Sequence, residues 1–127
     1  MRNNLKHLEI DFIASPDDLQ VERIRQTHNL AVIPSREEGF GLPVAEAIFN
    51  DQFPIYSDIA IFNELYDFLN VGRKFSANDS ADLAKAIKYV LADENLDTKA
   101  SQELKASIFS HYSWRRAAQD SLEILNS

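Results

Sequence analysis

The chain alternates between two hydrophobic rhythms. In "HLEIDFI" (7–13), Leu8, Ile10 and Phe12 fall on one side and Glu9 and Asp11 on the other. A period of two with one polar face predicts a strand with one side in water. In "SPDDLQVERIRQTHN", Ser15-Pro16 is a start signal and Leu19, Val21, Ile24 and His28 form a stripe, predicting a helix over about 17–27. "LAVIP" (30–34) is apolar throughout, as a central parallel strand covered on both faces should be. Beyond a glycine-bearing loop, Pro43 opens a helix through about Phe49, with Val44, Ala47 and Ile48 as its buried side. "FPIYS" (53–57) reads as a strand, "IAIFNELYDFL" (59–69) as a helix and "RKFS" (73–76) as a last strand. Ser80 is placed to cap a helix striped by Leu83, Ile87 and Leu91. Two more helices are expected, roughly 95–110 and then 113–126. The second has Ser113 as N-cap and Trp114, Ala117, Ala118, Leu122 and Leu125 facing inward.

Strands alternating with helices specify an α/β domain with a parallel sheet of about four strands flanked by helices. The 127 residues contain no repeat, low-complexity tract or linker and suit one domain, 1–127. In such sheets ligands lie beyond the carboxyl ends of the strands. The loop 35–42 leaves the most apolar strand at that end and runs straight into a helix N-terminus.

Composition narrows the partners. A net charge of -7 argues against nucleic acid or an anionic membrane as partner, since both require a basic face. Without cysteine there is no disulfide or thiolate chemistry, which suits a reducing cytoplasm. "MRNNLKHLEI" lacks the apolar core of a signal peptide, and no stretch is long enough to span a bilayer, so a soluble, cytoplasmic protein is expected.

The chemistry concentrates in "EEGFGLPVAE" (37–46), which holds two of the chain's three glycines. Gly39 and Gly41 are expected to take positive φ and to let a ligand approach the main chain closely. Pro43 has no N–H to leave unpaired, and the free amides around it, with the helix dipole, form a modest anion site. Glu46, placed in the first turn, and Glu38 would repel a phosphate but accept paired hydrogen bonds from vicinal hydroxyls. Hydroxyls at both ends and an anion between them describe a nucleotide sugar. Against this, strand–Gly-x-Gly–helix loops are common, and a first-turn glutamate is favoured by the dipole alone.

"AVIPSREEGFGLPVAEA" resembles the signature of family-4 glycosyltransferases, the retaining GT-B enzymes, with a Glu, seven residues and a Glu. The similarity continues through "FPIYSDIAIFNEL", "GRKFSANDSADLAKAI" and "YSWRRAAQDSLEIL", nearly the whole chain. The resemblance implies a Rossmann-like fold, part of a GT-B C-terminal domain, serving glycan biosynthesis. It implies that Glu38 acts at the catalytic centre on hydroxyls of the donor sugar. Glu46 would hold the nucleotide ribose, and the amides of Gly39, Phe40, Gly41 and Leu42 would line the sugar and diphosphate. The donor would be a nucleotide diphosphate sugar such as a UDP- or GDP-sugar, with the leaving diphosphate assisting and no metal or other cofactor needed.

This chain departs from the family at Asn50-Asp51, where a small residue and glycine are usual; both residues tolerate the left-handed conformation, so the turn survives. The family's cationic pair for the diphosphate and its acceptor-binding N-terminal domain lie upstream of the point where this sequence starts. The partner expected is therefore that domain or another chain supplying it, and the segment alone is expected to be inactive.

Other residues carry plainer readings. His7, His28 and His111 are too scattered to hold a metal. Tyr112 and Trp114 read as core packing, Arg115-Arg116 as a solvated face, and Arg73-Lys74 as a strand-end pair that could reach a phosphate. Asp58 and Glu64 resemble a family stretch near the donor. The alternative function is a stand-alone, non-catalytic module used for binding or assembly. A dinucleotide-binding domain is disfavoured because no Gly-x-Gly-x-x-Gly follows a first strand. Matched to a doubly wound sheet, strands 8–13 and 30–34 are not neighbours, so 30–34 has an open edge. Either strand 8–13 moves in beside it across helix 17–27, or two chains pair there as a homodimer.

Overall fold

The computed structural model describes residues 10–125. Its elements are α1 (Asp18–Thr27), β1 (Leu30–Ile33), α2 (Leu42–Phe49), β2 (Phe53–Asp58), α3 (Ala60–Tyr66), β3 (Arg73–Ser76), α4 (Ser80–Leu91), α5 (Gln102–His111) and α6 (Trp114–Leu125), with a 3-10 turn at Asp67–Leu69. The described sheet is parallel, in the order β1-β2-β3, with Val32 opposite Ile55 and Tyr56 opposite Lys74. The α/β architecture holds, with three described strands rather than about four.

The central strand β2 shows why the sheet is covered on both faces. Successive side chains point to opposite sides. Ile55 joins Phe75, Ala86 and Val90 beneath α4, whereas Tyr56 joins Ile33, Val44, Ala47, Ile48, Phe62, Leu65, Tyr66 and Ile108 on the side of α2, α3 and α5. The Tyr56, Phe62 and Tyr66 rings meet at centroid distances of 5.6–6.3 Å, mostly edge to face. That arrangement suits the ring quadrupoles.

Several expectations are corrected. Of the strand expected at 7–13, residues 7–9 lie outside the described residues. Residues 10–13 form no strand, and Ile10, Phe12 and Ile13 are exposed. An alternating pattern becomes a strand only beside a partner, and these four residues have none. The repair in which this segment pairs with 30–34 is therefore not made by 10–13. Among the described residues β1 is therefore the edge strand of the sheet, not a central one, with Val32 43% exposed. Helix α1 starts one residue later than expected because Asp17 caps it. Its carboxylate accepts from the Gln20 amide at 2.8 Å while the Gln20 side chain accepts from the Asp17 amide at 3.0 Å.

Asp79, not Ser80, caps α4, accepting from the amides of Ala81 and Asp82. The residues α4 buries are Ala86 and Val90, and Leu91 is exposed. The region 95–110 is helical only over α5. Ala117, Ala118 and Leu122 of α6 are exposed rather than inward. No helix among the described residues is long and apolar enough to cross a membrane.

Candidate functional site

The loop 34–41 leaves the carboxyl end of β1 and enters α2, as the hydrophobic pattern anticipates. Two glycines that look alike in the sequence differ in the structure. Gly41 is the N-cap of α2 in the left-handed conformation, φ 64°, and no side chain caps the helix. Gly39 has no positive φ, and a Cβ built on it would meet nothing within 4 Å. Only Gly41 therefore needs to be glycine for its backbone; at Gly39 what matters is open space beside the main chain. Asp51 takes the left-handed turn expected after α2, at φ 55°.

The two carboxylates are engaged by different partners. Glu38 accepts from Ser35 Oγ at 2.7 Å, and Ser35 is itself held through its carbonyl by the hydroxyl of buried Ser57 at the end of β2. Sheet, loop and carboxylate are thus linked by two consecutive hydrogen bonds. Glu46 lies one turn into α2, not in its first turn, and pairs with Arg25 of α1 at 2.6 Å. The dipole explanation of Glu46 loses its force there, since that effect falls off within the first turn.

Beneath the loop two tyrosines grip its main chain. Tyr66 is buried, and its Oη lies 2.7 Å from the Gly41 carbonyl and 2.7 Å from Tyr112 Oη. Tyr112, at the end of α5, also donates to the Phe40 carbonyl at 2.7 Å. Burial pushes the hydroxyl pKa of both upward, so both stay neutral donors. Beside them an open, mainly apolar cleft of about 400 Å³ is lined by Gly39, Phe40, Leu42, Leu65, Tyr112 and Ala117 among others. Neither Glu38 nor Glu46 lines it. The sequence gives no signal for this tyrosine pair, whose members are 46 residues apart; Tyr112 reads there as packing.

The remaining candidates lie elsewhere. Arg73 sits 4.3 Å over the Tyr89 ring, and Lys74 pairs with Asp67 at 2.7 Å, so both cations have local partners. Asp58 accepts from the Asn63 side chain, and Glu64 is exposed on α3. His28 and His111 make local contacts with Ile24 and Tyr112, while His7 and the side chains of Trp114, Arg115 and Arg116 lie outside what is described. No cluster of three or more metal-ligating side chains occurs among the described residues.

Comparison with known proteins adds a sequence match. The family model described as "Glycosyl transferases group 1" matches residues 4–107. A curated relative, "Lipopolysaccharide core biosynthesis mannosyltransferase LpcC" of Rhizobium leguminosarum bv. viciae, is 28% identical over 116 residues, which are 91% of this chain. The chain spans about a third of that relative's length, 32%.

Proposed function

Since the chain belongs to the group 1 glycosyl transferases, we propose that it is the donor-binding part of a retaining, family-4 GT-B enzyme. It takes a nucleotide diphosphate sugar and serves transfer of that sugar to a glycan acceptor in the cytoplasm, without a metal. The observation that carries the proposal is the β1–α2 loop, where two hydrogen-bonded carboxylates, Glu38 and Glu46, flank main-chain amides uncapped by any side chain. In this reading Glu38 addresses the sugar hydroxyls and Glu46 the ribose diol. The amides of Gly39, Phe40, Gly41 and Leu42 face the sugar and diphosphate. The name of the relative makes mannose the first sugar to test. The acceptor-binding domain and the cations for the diphosphate come from an N-terminal domain or a partner chain.

One observation favours the second reading, a non-catalytic module of the same fold. Arg25 already occupies the Glu46 carboxylate at 2.6 Å, so a diol must open that pair to bind. Titration separates the two. GDP-mannose and UDP-glucose added to isotope-labelled chain should shift the amides of 38–46 at dissociation constants of about 1 mM. Glu46→Gln should weaken nucleotide and nucleotide sugar alike, and Glu38→Gln only the sugar-bearing ligand. Shifts confined to other regions, or equal effects of Glu38→Gln on both ligands, reject the donor-site reading.

A further inference from the structure

We infer that Tyr66 and Tyr112 are positioning residues that aim the amides of the glycine loop out of the protein, so that α3 and the α5–α6 junction together set the geometry of the donor site. The inference rests on the donor-site reading for what the amides bind, but not for where they point.

The geometry follows from the peptide bond. There are no cis peptides among the described residues, and in a planar trans unit the C=O and the following N–H point in opposite directions. The Phe40 and Gly41 carbonyls are drawn inward, each to a phenol oxygen at 2.7 Å. The N–H groups of the same two units, those of Gly41 and Leu42, therefore face away from the tyrosines. The Gly41 amide meets no acceptor among the described residues, and Leu42 opens α2, where amides have no intrahelical partner. The first turn of α2 already points the Gly41 carbonyl into the helix, towards the Ala45 amide, so Tyr66 reinforces that unit, whereas the Phe40–Gly41 unit precedes the helix and is held by Tyr112. The Gly41 left-handed conformation permits the orientation of that second unit, but a glycine permits the mirror conformation as readily.

The two hydroxyls also work as one unit. Three oxygen–oxygen contacts of 2.7 Å share two phenolic hydrogens, so at any instant one contact has no proton. With Tyr112 donating to Tyr66 and Tyr66 to Gly41, the Phe40 carbonyl waits; with Tyr66 donating to Tyr112 and Tyr112 to Phe40, the Gly41 carbonyl lacks its phenol proton; with each phenol donating to its own carbonyl, the contact between the phenols has none. Tyr112 ends α5 immediately before α6, so displacement of these helices pulls on the loop directly.

The test uses Tyr112→Phe and Tyr66→Phe in the whole chain, labelled with 15N and 13C. Tyr112 is only half-buried, so its variant remains informative should Tyr66→Phe fold poorly. Without any ligand, each variant should move the 13C resonance of its own carbonyl partner and the amides of Gly41 and Leu42, leaving amides of α4 in place. Inorganic pyrophosphate should then bind each variant about tenfold more weakly than the parent, the loss of roughly one charge-assisted amide bond. Unmoved Gly41 and Leu42 amides overturn the inference whatever binds, as does equal pyrophosphate affinity in parent and variants. Where the parent binds neither pyrophosphate nor GDP-mannose, the donor-site reading fails, and the ligand-free shifts alone decide the positioning role.

Discussion

The three glycines of this chain should respond very differently to alanine, and the order follows from one set of distances. At Gly39, φ is not positive and an added Cβ meets nothing within 4 Å, so Gly39→Ala meets no strain. Reduced freedom of the unfolded chain would raise stability by about 0.4–1 kcal/mol. Gly41 has φ 64°, and its Cβ would lie 3.0 Å from Leu65 Cδ1 and 3.4 Å from Phe62 and Tyr66 ring carbons. Left-handed alanine costs about 1–2 kcal/mol, and Leu65 can yield at its flexible end, so a net loss of about 1 kcal/mol is expected. Gly72 combines φ 74° with a Cβ only 2.4 Å from the Pro54 carbonyl oxygen. That neighbour is backbone of the central strand β2, which cannot yield without disturbing the sheet. Adding an overpacking term of about 1–3 kcal/mol gives a loss near 3 kcal/mol. Urea denaturation measures the series; with a slope of about 1.5 kcal/mol/M, Gly41→Ala lowers the midpoint by roughly 0.7 M and Gly72→Ala by about 2 M. Equal losses at Gly39 and Gly41, or a Gly72→Ala variant as stable as the parent, would refute the reasoning.

Asp51 has its carboxyl held below the ordinary 3.8, first by the hydrogen bond from Lys105 at 2.7 Å. A depressed carboxylate contributes stability above the unfolded value that is lost as pH falls through the folded one. Urea midpoints of Asp51→Asn should therefore flatten below about pH 4, by well under ~1 kcal/mol for so exposed a pair. At the other limit, burial pushes Tyr56 up to about 12 and raises Tyr66 and Tyr112. The folded state then holds more protons than the unfolded one above the ordinary 10.0, and stability should fall as pH rises past it. Phenolate absorbance and circular dichroism should change together there; free titration of all four tyrosines in a chain still folded would contradict the burial. If two chains pair through the edge of β1 that has no neighbour among the described residues, light scattering should give a dimer at micromolar concentration and Val32→Lys a monomer. A parent chain monomeric at every concentration rules that pairing out.

What the sequence reveals and what it hides divide along physical lines. Strands β2 and β3 and helix α2 were legible within a residue or so, because each carries a pattern set by its own burial. The segment 7–13 misleads because alternation specifies a face, while a strand also needs a neighbour to bond, and 10–13 have none. Ser80 misleads because serine and aspartate are comparable caps, and only the backbone decides that Asp79 holds that position. The loop was legible as a site since Gly41, Pro43 and the two glutamates are close in sequence. Its fastenings were not. Ser57, Tyr66 and Tyr112 act across 22, 25 and 72 residues, and no local pattern encodes a contact that only folding creates.

Those fastenings decide how affinity should be apportioned. The loop is tied to the sheet by Ser57, to α3 by Tyr66 and to the α5–α6 junction by Tyr112, so its ordering is settled before any ligand arrives. Binding then escapes much of the cost of immobilising a loop. Competition for the carboxylates is a small opposing effect. The Arg25–Glu46 pair is about one-third exposed on the arginine side, and such pairs contribute about 0.2–1 kcal/mol, a few-fold in affinity. On the proposed reading, the carboxylates for hydroxyl recognition and the order of the loop are thus largely in place within this chain. Charge for a diphosphate is thinner: Arg73 stacks on Tyr89, Lys74 is bound by Asp67, and the exposed Arg36 of the loop is outweighed there by Glu37 and Glu38. If the proposed donor binds the isolated chain feebly, the deficit on this reading is one of cations, not of shape. Supplying a cationic segment should strengthen binding of the diphosphate-bearing ligand far more than that of the nucleoside alone.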